Sequence, residues 1–390
     1  MMRDPKRDEE ILLACNRALA EASKNPEASA EIAGVLLEKG LALRRLGRRE
    51  DELAAYEDLL TRFGSEPAAA VRERVAWALY DKGYALAELG SYGDAISVYE
   101  DLLSRFESSP EVGLRARVAA ALVGKAVLLN ELGRRTDALA ILDDVLARFD
   151  HAHELPLRRE VARALSNKGW TLARLARDVE AIEVYDELLE RFGEASDAEL
   201  REQVALTLVN KGHALRRLAR SDEATVVLQA ASERFGDDPS PRVRRVGAEA
   251  LLLRGSVLLD LGRVDTALAV LDDVVRRYRG ESDTESRIQI ASALAFKAQA
   301  LSERDARQDA IEVYDEMITL FGDSVEPELR SHVAEAHYNK GVWLHELGKR
   351  TDALASYEEL LNGFDNAEGA EIEQLREWAQ IRYDVLRQRE

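Results

Sequence analysis

One cysteine, Cys15, is all that 390 residues contain, so no disulfide can close within the chain. Proline is scarce too, at eight residues, and β-branched residues are sparse beside alanine, leucine, arginine and glutamate. That balance excludes a sheet-rich fold and points to an almost wholly helical one. No run of about eighteen apolar residues offers a membrane span, and the opening MMRDPKRDEE lacks the apolar core of a signal peptide. A cytoplasmic protein is the expectation. Positive charge is short: a formal net charge of −19 leaves no basic footprint for nonspecific binding to nucleic acid or an anionic membrane. His332, His337 and His345 fall close together, but their intervals of five and eight do not make the one-turn pair of a zinc-binding helix. His337 is expected instead as a packed core residue. With no phosphate-binding glycine loop and no paired acid and base, the reading is no enzyme, no metal and no cofactor.

What the chain does have is a repeat. Basic residues stand at Lys39, Lys82, Lys125, Lys168, Lys211, Arg254, Lys297 and Lys340, each 43 residues after the last, giving eight copies without an insertion. A fixed period of this size is the mark of a solenoid. Taking the basic residue as position zero, alanine occupies −6 in every copy, from Ala33 to Ala334, and leucine occupies +4, from Leu43 to Leu344. Leucine also holds −3 except at His337, and glycine or alanine holds +1: Gly40, Gly83, Ala126, Gly169, Gly212, Gly255, Ala298 and Gly341. On a helix these positions share one arc, which is the expected buried face.

Glycine inside a helix costs about 1 kcal/mol relative to alanine. The reading offered for it is that small residues let neighbouring helix backbones approach closely. The adjacent lysine then sits at the edge of the arc, its stem over apolar surface and its ammonium toward water or a carboxylate. Eight residues on, Gly47, Gly90, Gly133, Gly262 or Gly348 stands where a helix terminus needs a left-handed residue.

A second helix follows in each copy, as in Ala95-Ile96, Tyr99, Leu102-Leu103 and Phe106, and seven of the eight phenylalanines take its last aromatic position. Acidic pairs such as Glu57-Asp58, Glu100-Asp101 and Asp186-Glu187 recur on this helix. Several precede an arginine by four, as Asp58 does Arg62, and read as a solvated ladder. Copies five and seven depart from the pattern: Ala231 and Ser232 replace leucines, and Arg304-Asp305 replace leucine and glycine. Sequence drift is the expectation, with a weak joint or a docking patch on the convex side at copy five as the alternative.

The stretch ALYDKGYALAELGSYGDAISVYEDLLSRF at 78–106 resembles the tetratricopeptide repeat. Gly83, Leu86, Gly90, Tyr92, Ala95 and Tyr99 match its spacing, as do Asn167, Asn210 and Asn339 before the small residue. The resemblance covers residues 28–364 and differs in length, 43 residues against about 34. It is similar to the long-repeat variety in some motor-protein light chains and bacterial regulatory proteins. The resemblance implies an all-α solenoid of eight helix-turn-helix repeats in a right-handed superhelix. First helices would line a concave groove that binds peptides or proteins. Residues 1–24 would form an N-terminal capping helix, 25–367 the eight repeats and 368–390 a C-terminal capping helix.

Beside the buried arc each first helix carries a second one where the copies differ freely, and by resemblance it lines the groove. It reads Trp77, Tyr80 and Tyr84 in copy two, Arg163, Trp170 and Arg174 in copy four, His213, Arg216 and Arg217 in copy five, and Arg44 and Arg45 in copy one. Later copies present Glu249, Asp260, Glu303, Glu335 and Glu346. Aromatic and arginine residues are the common interface anchors. The expectation is therefore a scaffold whose first copies hold an acidic peptide or a free C-terminal carboxylate. A self-assembling repeat protein and a ligand-sensing array of a bacterial signalling or defence pathway are the alternatives.

Overall fold

Helix follows helix through the computed structural model, which describes residues 5–22, 29–364 and 369–388. The expected boundaries at 24/25 and 367/368 lie outside these. α1 (Pro5–Ala22) precedes eight hairpins. They pair α2 (Ser29–Arg45) with α3 (Arg49–Phe63), α4 (Ala69–Glu88) with α5 (Tyr92–Phe106), α6 (Val112–Glu131) with α7 (Arg135–Phe149), and α8 (Leu155–Arg174) with α9 (Asp178–Phe192). Next come α10 (Ala198–Arg217) with α11 (Ser221–Phe235), α12 (Pro241–Asp260) with α13 (Val264–Tyr278), α14 (Thr284–Glu303) with α15 (Arg307–Phe321), and α16 (Pro327–Glu346) with α17 (Arg350–Gly363). α18 (Ala370–Arg387) follows. From α4 to α16 the first helices begin 43 residues apart. The described residues contain no strand, and none of their helices is long and apolar enough to cross a membrane.

All eight hairpins turn by the same device. The backbone N–H of Arg48 donates to the Leu43 carbonyl and that of Gly47 to the Arg44 carbonyl, the paired bonds of a Schellman cap. The set repeats down to Lys349 on Leu344 and Gly348 on His345, so the recurrent leucine at +4 is also the carbonyl that anchors each turn. The cap requires a left-handed residue. Gly47, Gly90, Gly133, Gly262 and Gly348 supply it with φ between 68° and 76°, whereas Ala176, Ala219 and Asp305 are held there at 57° to 62°.

The glycines at +1 serve a different contact from the one expected. A Cβ on Gly40 would lie 2.2 Å from the Tyr56 ring, on Gly83 2.5 Å from Tyr99, on Gly169 2.2 Å from Tyr185 and on Gly341 2.5 Å from Tyr357. Each of these four glycines is thus a seat for an aromatic ring from the second helix of its own hairpin, and Gly212 and Gly255 seat Leu228 and Leu271 at 2.7 and 2.8 Å, rather than being places where backbones meet. Backbones do meet where copies five and six join. A Cβ on Gly247 would lie 2.8 Å from the Gly236 backbone nitrogen, and the small Ala231 and Ser232 are buried there. Copy five's lost leucines accompany a closer approach of α11 to α12.

The lysines bridge hairpins. Lys82 reaches Glu57 at 3.2 Å, Lys125 reaches Glu100 at 2.7 Å, Lys168 reaches Asp143 at 2.7 Å, and Lys297 and Lys340 reach Asp272 and Asp315 at 2.6 Å each. The two acids of a pair therefore differ in use. The first receives the next hairpin's lysine, and the second pairs along its own helix, as Asp58 does with Arg62 at 2.7 Å. Arg254 meets Gln229 at 2.8 Å where copy five has lost its acids.

Contacts divide the chain into two units, Met1–Gln203 and Val204–Glu390. In the first, α2, α4, α6 and α8 touch in succession; in the second, α12, α14, α16 and α18 do so. Among the described residues no two second helices come equally close, so first helices form the tighter layer of each unit. In α18 the residues Trp378, Ile381 and Val385 are exposed, an apolar strip on a helix expected to be a polar cap.

Candidate site on the first helices

Positions −5, −2 and +2 of the first helices lie over the seams between neighbours, just outside the buried arc. In the first unit this strip is filled. Trp77 and Tyr84 are 37% and 41% exposed, large fractions for rings on a packed layer, and both are clamped by guanidinium groups. Arg117 of α6 lies 3.7 Å from the Trp77 ring centroid and 5.1 Å from that of Tyr80. Tyr80 in turn sits 5.9 Å from Tyr99. Arg44 stacks on Tyr84 at 4.8 Å, and Arg174 on the half-buried Trp170 at 5.7 Å. Cation–π contacts of this kind contribute about 0.5–1 kcal/mol where exposed, and here they fix the orientation of exposed rings.

Most arginines expected to meet a partner already meet acids of this chain. Arg44 bonds to Glu52 at 2.7 Å and to Asp81 at 3.0 Å, both acids being buried. Burial pushes the Asp81 carboxyl above its usual range, and Arg44 pulls it back. Arg45 meets Asp8 of α1 at 2.9 Å. Arg163 meets Glu160 at 2.8 Å, a buried carboxylate raised by desolvation and drawn down by Arg163 and Arg117. Glu52, Asp81, Arg117 and Glu160 escape a reading of the variable arc, because each acts on a residue from another copy or another helix. Their one sequence signal is an acid or base interrupting an apolar arc.

In the second unit His213 is half-buried and resists protonation, first through burial and then through Arg217 and Arg216. Arg216 meets Asp260 of α12 at 2.7 Å. Further along, the strip is hollow. Ser292 and Ala295 occupy in copy seven the repeat positions of Trp77 and Tyr80 in copy two, and a cavity of about 450 Å³ opens between α14, α15 and α16. Nothing in the variable arc alone announced it, since its signal is missing volume.

A family model described as tetratricopeptide repeat matches residues 37–112, 80–153, 123–197 and 209–282, together more than half of the chain. No curated protein matches in sequence. Among solved structures, the apo form of RapI is similar over 88% of this chain and 95% of its own, at 15% identity and a TM-score of 0.55. A signal transduction ATPase with numerous domains and a tetratricopeptide repeat sensor, from Pyrococcus horikoshii, is similar over 98% of this chain and 53% of its own, at 12% identity and a TM-score of 0.54. A tetratricopeptide repeat protein from Parabacteroides merdae covers 78% of this chain and 98% of its own at 14% identity, with a TM-score of 0.47. At these identities the likeness is one of fold.

Proposed function

The chain belongs to the tetratricopeptide repeat family, and from that premise we propose that it is a non-enzymatic scaffold which binds a peptide or protein segment along its first helices. The observation that carries this reading is the stack of Arg117 on Trp77 at 3.7 Å. An exposed indole costs little conformational entropy on binding when its orientation is already fixed, which is what an interface anchor needs. Trp77, Tyr80 and Tyr84 provide the apolar contact, with Trp170 and Arg174 continuing it. A guanidinium stacked on a ring keeps N–H edges for a carboxylate, so the partner is a segment carrying acidic side chains or its own C-terminal carboxylate. Arg44 and Arg163 act mainly by holding rings and buried acids in place, which leaves the edges of Arg117 and Arg174 as the primary contacts. α1 and α18 serve as end helices of the stack, α1 through the pair of Asp8 with Arg45.

Replacing Trp77 and Trp170 together by alanine removes both anchors. Partner capture by the purified chain is expected to be lost, with helicity by circular dichroism unchanged. Capture that survives the double replacement refutes the assignment.

A further inference from the structure

Three local features of copies seven and eight coincide at the cavity in the second unit. Ser292 and Ala295 leave space where copy two places Trp77 and Tyr80. Trp343 enters at a position held by smaller residues in the other seven copies, alanine in four and Leu128, Thr171 and Val257 in the rest. The third feature is Ala298, which stands at the seat that is glycine in every other copy with a tyrosine on the second helix. A ring placed as in those copies would lie 2.2–2.5 Å from a Cβ, so Tyr314 cannot take that place. It is 6% exposed, where Tyr56, Tyr99, Tyr185 and Tyr357 are at most 2%. Its hydroxyl is engaged by Trp343, Ser302 and Asn339.

The walls are apolar and held. Phe296 and Trp343 face the space above Met317 and Tyr314. Arg307 lies 5.5 Å from the Trp343 ring and is itself tied to Glu346 at 3.0 Å. His332 Nε2 is 3.3 Å from the Ser292 hydroxyl, and burial favours its neutral form.

One lining residue is formally charged, Glu335. Glu335 is exposed on its outer side, at the rim of the cavity, and partial desolvation there, reinforced by Glu371, raises its proton affinity. Among the described residues no lysine or arginine acts on it, whereas the buried Glu52 and Glu160 in the first unit each have an arginine. A carboxylate beside aromatic walls and without a counter-ion is complementary to a cation with an apolar body. A hard metal ion would need several oxygen ligands, and no group of metal-binding side chains occurs among the described residues.

We propose that the cavity between α14, α15 and α16 binds a small organic monocation, a guanidinium or ammonium group held by Glu335 with its apolar body against Phe296, Trp343 and Met317. The cation is either a basic side chain of a polypeptide or a free amine. The site is independent of the proposed anchors at Trp77 and Trp170.

Calorimetric titration of the intact chain with acetyl-Phe-Arg-amide, its neutral citrulline counterpart and free phenethylamine tests the proposal. At least one cationic probe is expected to bind. The citrulline peptide should bind at least about tenfold more weakly than its arginine parent, and Glu335→Gln should weaken the cationic probe by at least about tenfold. Glu335→Asp keeps the charge and should retain most of the affinity. Ser292→Trp, which gives copy seven the residue of copy two, should block the site while thermal unfolding stays cooperative. Binding of the dipeptide alone identifies a polypeptide side chain as the source, and binding of the amine alone identifies a free amine. The Trp77→Ala/Trp170→Ala protein should bind the probes as the parent does, which separates failure of this site from failure of the scaffold reading. Equal binding by Glu335→Gln, equal binding of the citrulline peptide, or no heat from either cationic probe at about 1 mM overturns it.

Discussion

At the scale of single residues, the eight copies act as a mutational series on one backbone. The left-handed cap position is glycine in five copies and Ala176, Ala219 or Asp305 in three. A side chain in this conformation costs about 1–2 kcal/mol, less for aspartate, whose short polar group tolerates it better. Ala176→Gly and Ala219→Gly are each expected to stabilise the chain by about 1 kcal/mol, read as a higher denaturation midpoint in urea, and Asp305→Gly by less.

His337 is a second such case, a buried histidine where seven copies have leucine. It packs edge-on to Phe364 at 6.4 Å, and burial holds its proton affinity below the ordinary value of 6.5, with Glu359 opposing. The folded state therefore prefers the neutral ring. As pH falls below 6.5 the unfolded chain takes up a proton that the folded chain refuses, and stability is lost until the folded ring also protonates. His337→Leu removes that loss. Its stability advantage over the parent should be greater at about pH 5.5 than at about pH 7.5. The depressed His213 and His332 are common to both proteins and cancel. An advantage independent of pH would mean that folding leaves the proton affinity of the ring unchanged, and one that shrinks as pH falls would mean that the ring is protonated when folded.

At the scale of the hairpin, copies one, two, four and eight share one close contact, the tyrosine ring on its glycine. Gly83→Ala gains about 1 kcal/mol of helix propensity but puts a Cβ 2.5 Å from Tyr99, an overpacking that costs about 1–3 kcal/mol. Because Tyr99 is also confined on its far side, 3.0 Å from where a Gly124 Cβ would stand, it has little room to retreat, and the net effect should be destabilising. Copy three shows the remedy in Ala126 with Leu142. Tyr99→Leu is expected to recover stability in the Gly83→Ala background while costing stability on its own, a coupling that a double-mutant cycle in chemical denaturation measures. Additive effects would show that the seat is not what the glycine is for.

At the scale of the whole molecule, stability is a sum of hairpins and nearest-neighbour seams. The lysine–acid bridges repeat along each unit, yet exposed pairs contribute about 0–1 kcal/mol each, so the seams rest chiefly on the alanine and leucine arc. The Gly83→Ala change should accordingly speed amide exchange in copies one to three and leave copies six to eight unaltered, a pattern that hydrogen-exchange mass spectrometry resolves. Charge varies over the same scale. The strip of the first unit balances its arginines against buried acids, while that of the second ends in an unpaired glutamate over a cavity.

Period, helical class and the left-handed turn were legible in the amino-acid sequence because each depends on residues within one copy, and eight copies repeat the message. The left-handed glycines and the buried arc belong to this group, as does the lysine at its edge. What the tertiary structure decided depends on residues brought together from different helices or copies. Arg44 meets the Asp81 backbone 37 positions away, the Gly83 seat is filled by Tyr99 of the following helix, and the cavity beside Glu335 is a volume left by small residues on one helix and walled by another. Periodicity reports which face of a helix is buried, since that is set along one axis. Which side chain fills that face, which charge is neutralised and where space remains are fixed only when neighbouring surfaces are brought into contact.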